Sequence, residues 1–168
     1  MNSLLGGSFG SRITSNIRED KGYTYSPGSA LVANYKTGLW YENADVTTEF
    51  TGASRAEINK EINRLQNEAP EEAELQGIKN YESGIYVLQN STPGGIIGQL
   101  NFLDIHNLPE SFLVDQVKNI NAVTPEQIQE MAKKYIQPEK MTLIVVGDKE
   151  KIKDQVSETI KTPAEIKN

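Results

Sequence analysis

The stretch "LLGGSFGSRITSNIREDKGYTY", residues 4–25, carries the most informative local pattern of this 168-residue chain. Its middle predicts a short helix over residues 8–18, because apolar side chains repeat every four residues and would share one face. These side chains are Phe9, Ile13 and Ile17. Gly22 then ends the helix, since glycine tolerates the left-handed conformation that commonly follows a last helical turn.

Arg18 and Tyr25 lie on the two sides of this helix end, the first in the last turn and the second on an adjoining strand. An arginine offers several fixed N–H donors and a permanent charge, and a tyrosine hydroxyl adds one more donor. Held together, the two could stabilise the negative oxygen of a tetrahedral intermediate in acyl transfer. In the structural alternative, Arg18 pairs with Glu19 or Asp20 while Tyr25 fills a strand face. The residues alone leave both interpretations open.

A β-hairpin is predicted to follow. Residues 23–35, "YTYSPGSALVANY", are rich in strand formers, with Pro27 and Gly28 as a bulge or edge kink. Residues 36–38, "KTG", form a turn, and residues 39–50, "LWYENADVTTEF", make the second, antiparallel strand.

Two capping boxes mark predicted helix starts. Ser54 with Glu57 precedes one helix, and Thr124 with Gln127 precedes another that ends before Pro138. The first of these helices places three apolar side chains toward the core, namely Ile58, Ile62 and Leu65.

Three further helices are predicted between these two. Pro70 and the acidic residues after it open the first, the segment "STPGG" precedes a second over roughly 94–105, and Pro109 opens the third. The apolar positions expected in the core are Leu75, Ile78, Ile85 and Leu88 in the first, and Phe112, Leu113, Val117 and Ile120 in the third.

The segment "MTLIVVGD", residues 141–148, is a continuous apolar run of the kind found in a strand covered on both faces. Asp148 is placed to cap a last amphipathic helix, whose apolar positions are Ile152, Val156 and Ile160.

These elements predict an α+β fold with a small, mostly antiparallel sheet covered by about six helices. Three strands are few for so many helices, and the buried strand needs neighbours on both sides. We therefore expect that sheet partners lie outside this sequence or come from another chain. Residues 1–162 are expected to form one domain, followed by a loose tail at 163–168.

The composition narrows the possible partners. The net charge is -6 and no strongly basic patch is present, so nucleic acid is not expected as a partner. The absence of cysteine excludes disulfides and thiolate metal sites. No apolar run approaches the roughly 20 residues that would span a bilayer, and no secretory signal is visible. The compartment stays open between bacterial cytoplasm and periplasm or cell envelope.

Other candidate motifs have simpler structural explanations. His106 has Asp104 and Ser111 nearby in sequence, but a catalytic triad is defined by geometry, so we expect a structural histidine at a helix end. The glycines of "GGSFGSR" lack the lysine of a phosphate-binding loop and are expected to allow close packing of a helix start against the sheet. With one histidine and no H-x-x-E-H motif, the chain has no zinc site of its own.

The segments Leu5–Arg12 and Arg18–Ser26 resemble the second-domain signature of the pitrilysin-like (insulinase-like) zinc peptidases, the inverzincins. That signature is approximately L-G-G-x-F-x-S-R-L followed by L-R-E-x-x-G-x-x-Y-S; Ile13 and Ile17 replace leucines. The later stretches "NLPESF" and "AVTPEQIQEMAKKYIQPEKMTLIVVGD" are similar to the family as well. The short bacterial members and the mitochondrial processing peptidase subunits are the most similar.

The resemblance implies two homologous α+β domains that enclose a chamber and have different roles. The first domain holds zinc on H-x-x-E-H and a downstream glutamate. The second has lost these ligands and directs an Arg/Tyr pair, here Arg18 and Tyr25, toward a peptide or protein substrate at the zinc site. Tyr23 occupies a position usually held by another residue. This chain would thus contain no catalytic residue and no metal, and the zinc would reside in a partner domain.

The family domain also has about two strands ahead of its "LGG" helix. We therefore expect an N-terminally incomplete second domain that is inactive alone and self-associates through an open sheet edge. The leading interpretation is a substrate-binding, non-catalytic peptidase domain. The alternatives are a proteolytically inactive structural subunit of the same family and a separate ligand-binding domain that uses the glycine loops.

Overall fold

The computed structural model describes residues 1–157 and shows a helix-rich α+β fold with one two-stranded antiparallel sheet. The predicted fold class is thereby confirmed. Ile160 and the tail at 163–168 lie outside the described residues. The elements, in chain order, are two π-helical segments (Ser3–Gly7 and Thr14–Asp20), β1 (Thr24–Asn34), β2 (Thr37–Val46), a 3-10 turn (Thr48–Phe50), α1 (Thr51–Asn67), α2 (Glu72–Gln89), α3 (Pro93–His106), α4 (Ser111–Val114), α5 (Gln116–Ala122), α6 (Pro125–Tyr135), a second 3-10 turn (Pro138–Lys140) and α7 (Lys149–Val156).

The predicted hairpin is confirmed. β1 and β2 pair antiparallel with Leu31 opposite Trp40, and a two-residue turn joins them. Lys36 in this turn has a φ of 60°, a left-handed conformation suited to tight hairpin turns. The register shifts between Thr24 and Pro27, so the bulge lies where the proline predicted it.

The hydrophobic core lies between the two π-helical segments and helices α1, α2 and α6. Burial of each large aliphatic side chain in such a core contributes about 1.5–3 kcal/mol to stability. Ile13 and Ile17 are fully buried, so the helix that bears Arg18 is anchored firmly. Leu88, predicted in the core, is mostly exposed near the end of α2, and that assignment was wrong. The buried cluster comprises Leu4, Leu5, Ile13, Ile17, Ile62, Leu65, Leu75, Ile128, Ala132 and Ile136.

The first predicted helix begins later than its apolar spacing indicated. Residues 8–11 form a turn, in which the Ser11 N–H donates to the Ser8 carbonyl oxygen at 3.1 Å. Phe9 therefore lies outside the helix, and its side chain is 68% exposed instead of facing the core. The periodic spacing failed because periodicity assigns a face only where the backbone is continuously helical.

The capping box predicted at Ser54 was wrong. The 3-10 turn Thr48–Phe50 leads directly into α1, which starts at Thr51 and places Ser54 inside the helix. The Ser54 hydroxyl is buried there and has no hydrogen-bond partner among the described residues. Glu57 instead accepts a 2.9 Å hydrogen bond from the Asn16 side chain. Glu57 therefore bonds to a side chain that is distant in the sequence, and it does not cap the start of α1 as the local motif predicted.

Other helix boundaries follow the sequence more closely. The Thr124–Gln127 capping box is confirmed, since each side chain accepts a hydrogen bond from the other residue's backbone N–H. Asp148 caps α7 as predicted by accepting from the N–H of Glu150. The helix predicted after Pro109 is divided at Asp115 into α4 and α5.

The third strand predicted over residues 141–148 was wrong for this chain. Residues 142–146 have no regular structure, and no described residue pairs with them in a ladder. The apolar run is instead solvent-exposed, with Val146 92% exposed. A strand exists only when a neighbour accepts and donates its backbone hydrogen bonds, and strand-forming residues do not supply that neighbour.

Candidate functional site

The backbone around Gly22 brings Arg18 and Tyr25 together. Arg18 lies in the last turn of the second π-helical segment, and Gly22 follows with a φ of 66°, as predicted. The Gly22 N–H donates to the Arg18 carbonyl oxygen at 3.1 Å, and the Tyr23 N–H donates to that of Ile17 at 2.8 Å. These bonds reverse the chain direction, so Tyr25 on β1 returns to the side of Arg18.

Three side chains surround the Arg18 guanidinium. Its Cζ atom lies 4.7 Å from the centroid of the Tyr25 ring and 4.6 Å from that of the Phe9 ring. Both distances are within the range of cation–π attraction. The Nε atom of Arg18 also lies 3.0 Å from a carboxylate oxygen of Glu19. The contact between Arg18 and Tyr25 and the ion pair with Glu19 therefore exist together.

The arginine is better covered than the rings around it. The Arg18 side chain is 24% exposed, whereas Tyr25 is 80% exposed. Neither the Nη atoms of Arg18 nor the hydroxyl of Tyr25 has a hydrogen-bond partner in the part of the chain that is described. The site thus combines a partly fixed cation with donors that a ligand can reach.

An open groove of about 710 Å³ runs along this site. Arg18 and Tyr25 line it together with Glu19, Asp45 and Thr47. The groove therefore combines one cation, two carboxylates and several hydrogen-bonding groups, a surface suited to a polar, extended ligand.

The wall of the groove is held by contacts between β1 and the end of β2. The Thr24 hydroxyl donates to the Asp45 carbonyl oxygen at 2.6 Å, and the Thr47 N–H donates to that of Tyr23 at 2.9 Å. The Tyr23 ring stacks on Phe50 with centroids 4.5 Å apart, and it packs against the core. Tyr23 therefore supports the groove structurally, while the more exposed Tyr25 is available to a ligand.

His106 is not among the residues that line this groove, and its ring contacts a side chain of its own helix. It is in the last turn of α3, and its ring lies 4.4 Å from that of Phe102.

Among residues 1–157, no group of three or more His, Asp or Glu side chains is placed to hold a metal ion. No helix in the same range is long and apolar enough to cross a membrane.

The glycine-rich start of the chain packs closely against the hairpin, as expected. A β-carbon on Gly6 would lie 2.7 Å from the Ser29 hydroxyl oxygen and from a carboxylate oxygen of Glu42. Such contacts are too short, so glycine is needed for this approach. Asn2 strengthens the junction by accepting hydrogen bonds from Ser29 at 2.7 Å and from the Trp40 indole at 2.9 Å.

Two residues of interest were missed by the sequence patterns. Phe9 was assigned to the core, and nothing in its spacing pointed to Arg18. Glu42 is a buried carboxylate on β2, and burial raises its pKa to about 8. A signal for Glu42 did exist, because it alternates with Trp40 and Ala44, both of which pack against the core.

Comparisons with known proteins agree with this architecture. The family model described as peptidase M16 inactive domain matches residues 1–81. A peptidase M16 inactive domain from Pseudomonas fluorescens is 28% identical with a TM-score of 0.71, and the match covers 79% of this chain and 32% of that one. No curated protein matches the chain.

Two more distant structures share the fold. A conserved protein from Enterococcus faecalis is 20% identical with a TM-score of 0.69, covering 79% of this chain and 31% of that chain. A protease from Helicobacter pylori is 17% identical with a TM-score of 0.68, covering 81% and 33%. The chain therefore spans about a third of the length of these structures.

The fold is a helix-rich α+β domain similar to the inactive domains of M16 peptidases. Residues 1–81 match the model of the peptidase M16 inactive-domain family, which confirms the resemblance seen in the sequence. The matched region is thus a non-catalytic domain of the M16 family, a kind of domain that implies a partner domain.

Proposed function

We propose that this chain is the substrate-binding, non-catalytic domain of a zinc-dependent endopeptidase. The observation that supports this role most directly is the contact of Arg18 with Tyr25 at the edge of an open groove. The Nη groups of Arg18 and the hydroxyl of Tyr25 would donate hydrogen bonds to the carbonyl oxygen of a bound peptide. These bonds would strengthen as negative charge develops on that oxygen.

The described residues, 1–157, do not fit a zinc site. The chain's single histidine contacts Phe102, and no suitable cluster of ligands occurs in residues 1–157. Zinc usually requires three or four N, O or S ligands from the protein. We therefore assign the metal to a homologous partner domain, on the same polypeptide or on a separate subunit.

Peptide hydrolysis tests the proposed role. The purified chain is incubated with a library of quenched fluorescent peptides, first with zinc and then with a chelator, and no cleavage is expected. Zinc-dependent cleavage by the chain alone would contradict the proposal.

The assembly with the zinc-bearing domain gives the second half of the test. Here we expect cleavage that the chelator abolishes. Arg18→Ala should lower kcat by a factor of about 10²–10³, comparable to the removal of one oxyanion donor. Tyr25→Phe should also reduce kcat, because it removes only the hydroxyl. If both variants assemble and cleave normally, the structural-subunit alternative is correct.

We also propose that the chain self-associates through its exposed apolar segment, residues 143–146. This segment is exposed and rich in strand-forming apolar residues, and no described residue pairs with its backbone, a combination that favours strand pairing with a second copy. Sedimentation velocity should show a dimer for the wild type and a monomer for Val146→Lys. Val114→Lys is the matched control, because Val114 is 82% exposed on α4, and it should remain dimeric. A monomeric wild type would refute this proposal.

A further inference from the structure

Phe9 occupies an unusual position for a phenylalanine. It lies in the turn ahead of the Arg18 helix and is 68% exposed, so burial contributes little to its presence there. Its ring centroid lies 4.6 Å from the Cζ atom of Arg18, slightly closer than that of Tyr25. The contact with Arg18 is therefore the clearest physical role of this ring.

We propose that Phe9 is a positioning residue that, together with Tyr25, fixes the direction of the Arg18 guanidinium group. Glu19 pairs with the Nε atom, and the two rings contact the delocalised cation. The two Nη groups are then left for an acceptor in the groove. The inference rests on the proposed function in one respect, namely that this acceptor is the carbonyl oxygen of a peptide.

The advantage of such positioning is entropic. A free arginine side chain has many rotamers, and ordering it when a ligand binds would reduce affinity and rate. Contacts made before binding remove that cost, as in other preorganised sites. A leucine at position 9 has a similar size but no ring face to attract the cation, so it would leave Arg18 restrained by Tyr25 and Glu19 alone.

NMR spectroscopy of the full chain tests the positioning without any substrate. Ring currents from Phe9 and Tyr25 should shift the Arg18 Hδ and Hε resonances upfield of those of the other arginines. Phe9→Leu should move them toward random-coil values, and Phe9→Tyr should retain the upfield shift. Tyr35→Leu, which removes another exposed ring, should leave them unchanged. Arg18 resonances that are identical in Phe9→Leu and wild type would overturn the proposal.

Kinetics of the assembled peptidase then separate this inference from the proposed function. Phe9→Leu should lower kcat/KM about threefold to tenfold, with rescue by Phe9→Tyr. In an Arg18→Ala background, Phe9→Leu should have no further effect, because it acts through the arginine. A full Phe9→Leu effect in that background would overturn the positioning role. If Arg18→Ala itself leaves turnover unchanged, the proposed function fails, and the NMR result still decides whether Phe9 fixes Arg18.

Discussion

Arg12 donates two hydrogen bonds of 2.7 Å, from Nε and Nη2, to the two carboxylate oxygens of Glu74 on α2. The Arg12 side chain is nearly buried, whereas Glu74 is partly exposed. The hydrogen bond from Arg12 is the largest cause of the lowered pKa of Glu74, and the same bond raises the pKa of Arg12. This pair joins the beginning of the Arg18 helix to α2, and it therefore helps to hold the candidate site in place.

Glu74→Gln should destabilise the fold by about 3 kcal/mol, because it leaves the Arg12 charge buried without its counter-charge. Urea unfolding at pH 7 measures this effect. Lys153→Gln is the control, since it breaks an exposed pair with Glu150 and should cost less than about 0.5 kcal/mol. Equal losses in the two variants would disprove the structural importance of the Arg12–Glu74 pair.

The same pair should show a defined pH dependence. The folded-state pKa of Glu74 lies below the ordinary glutamate value of 4.5, so the unfolded state binds more protons between these two values. The stabilisation is therefore present above about pH 4.5 and is lost as the pH falls through the folded pKa. We expect the stability difference between wild type and Glu74→Gln to narrow toward pH 3.

Glu42 should give the opposite pH dependence. Both of its carboxylate oxygens are buried without a well-formed hydrogen bond, and the nearby Gly28 backbone offsets only part of the desolvation. The pKa rises from 4.5 to about 8, so the folded state binds the additional proton between these values. The contribution of Glu42 to stability is therefore fully present below about pH 4.5 and is lost as the pH rises through 8, by up to about 4 kcal/mol between pH 5 and pH 9.

Glu42→Gln provides the test, because glutamine keeps the shape and cannot ionise. Its unfolding free energy, measured in urea at pH 5, 7 and 9, should lose most of the decline seen in the wild type. Glu49→Gln, at an exposed position beside α1, should retain that decline. A wild type whose stability is the same at pH 5 and pH 9 would show that Glu42 does not titrate as described.

The two predicted capping boxes should differ in mutational cost. Thr124→Ala removes a hydroxyl that caps α6 and should destabilise the fold by about 1 kcal/mol. Ser54→Ala removes a buried hydroxyl that has no partner among residues 1–157 and should be neutral or slightly stabilising. Thermal unfolding of both variants measures the difference. A larger loss for Ser54→Ala would indicate that its hydroxyl has a partner after all.

Arg18→Lys tests which property of the arginine matters. Lysine keeps the positive charge but lacks the planar group with several fixed donors. We expect kcat of the assembled peptidase to fall nearly as far as in Arg18→Ala, by about 10²-fold or more. Lys21→Arg, a nearby exchange of the same two residue types, should leave kcat unchanged. Full activity of Arg18→Lys would show that charge alone is sufficient.

Several local signals were reliable because the interaction they describe is local, although the Ser54 capping box failed when Glu57 bonded to Asn16 instead. Gly22 was identified as a helix end because its left-handed backbone is a property of the residue itself, and Pro27 marked the bulge for the same reason. The Thr124 capping box needs only residues within one turn. The adjacency of Arg18 and Tyr25 followed from the short reversal at Gly22, although their joint function stays a prediction.

Sequence by itself determined the hairpin, most helix boundaries, the buried positions of Ile13 and Ile17, and the resemblance of residues 1–81 to the M16 inactive domain. Only the tertiary structure decided that Phe9 contacts Arg18 and that Glu42 is buried beside Gly6. It also showed that no described residue pairs with the strand predicted at 141–148. Backbone preferences act within one turn of the chain. Burial and strand pairing depend instead on which residues, distant in the chain or in another chain, lie beside a segment.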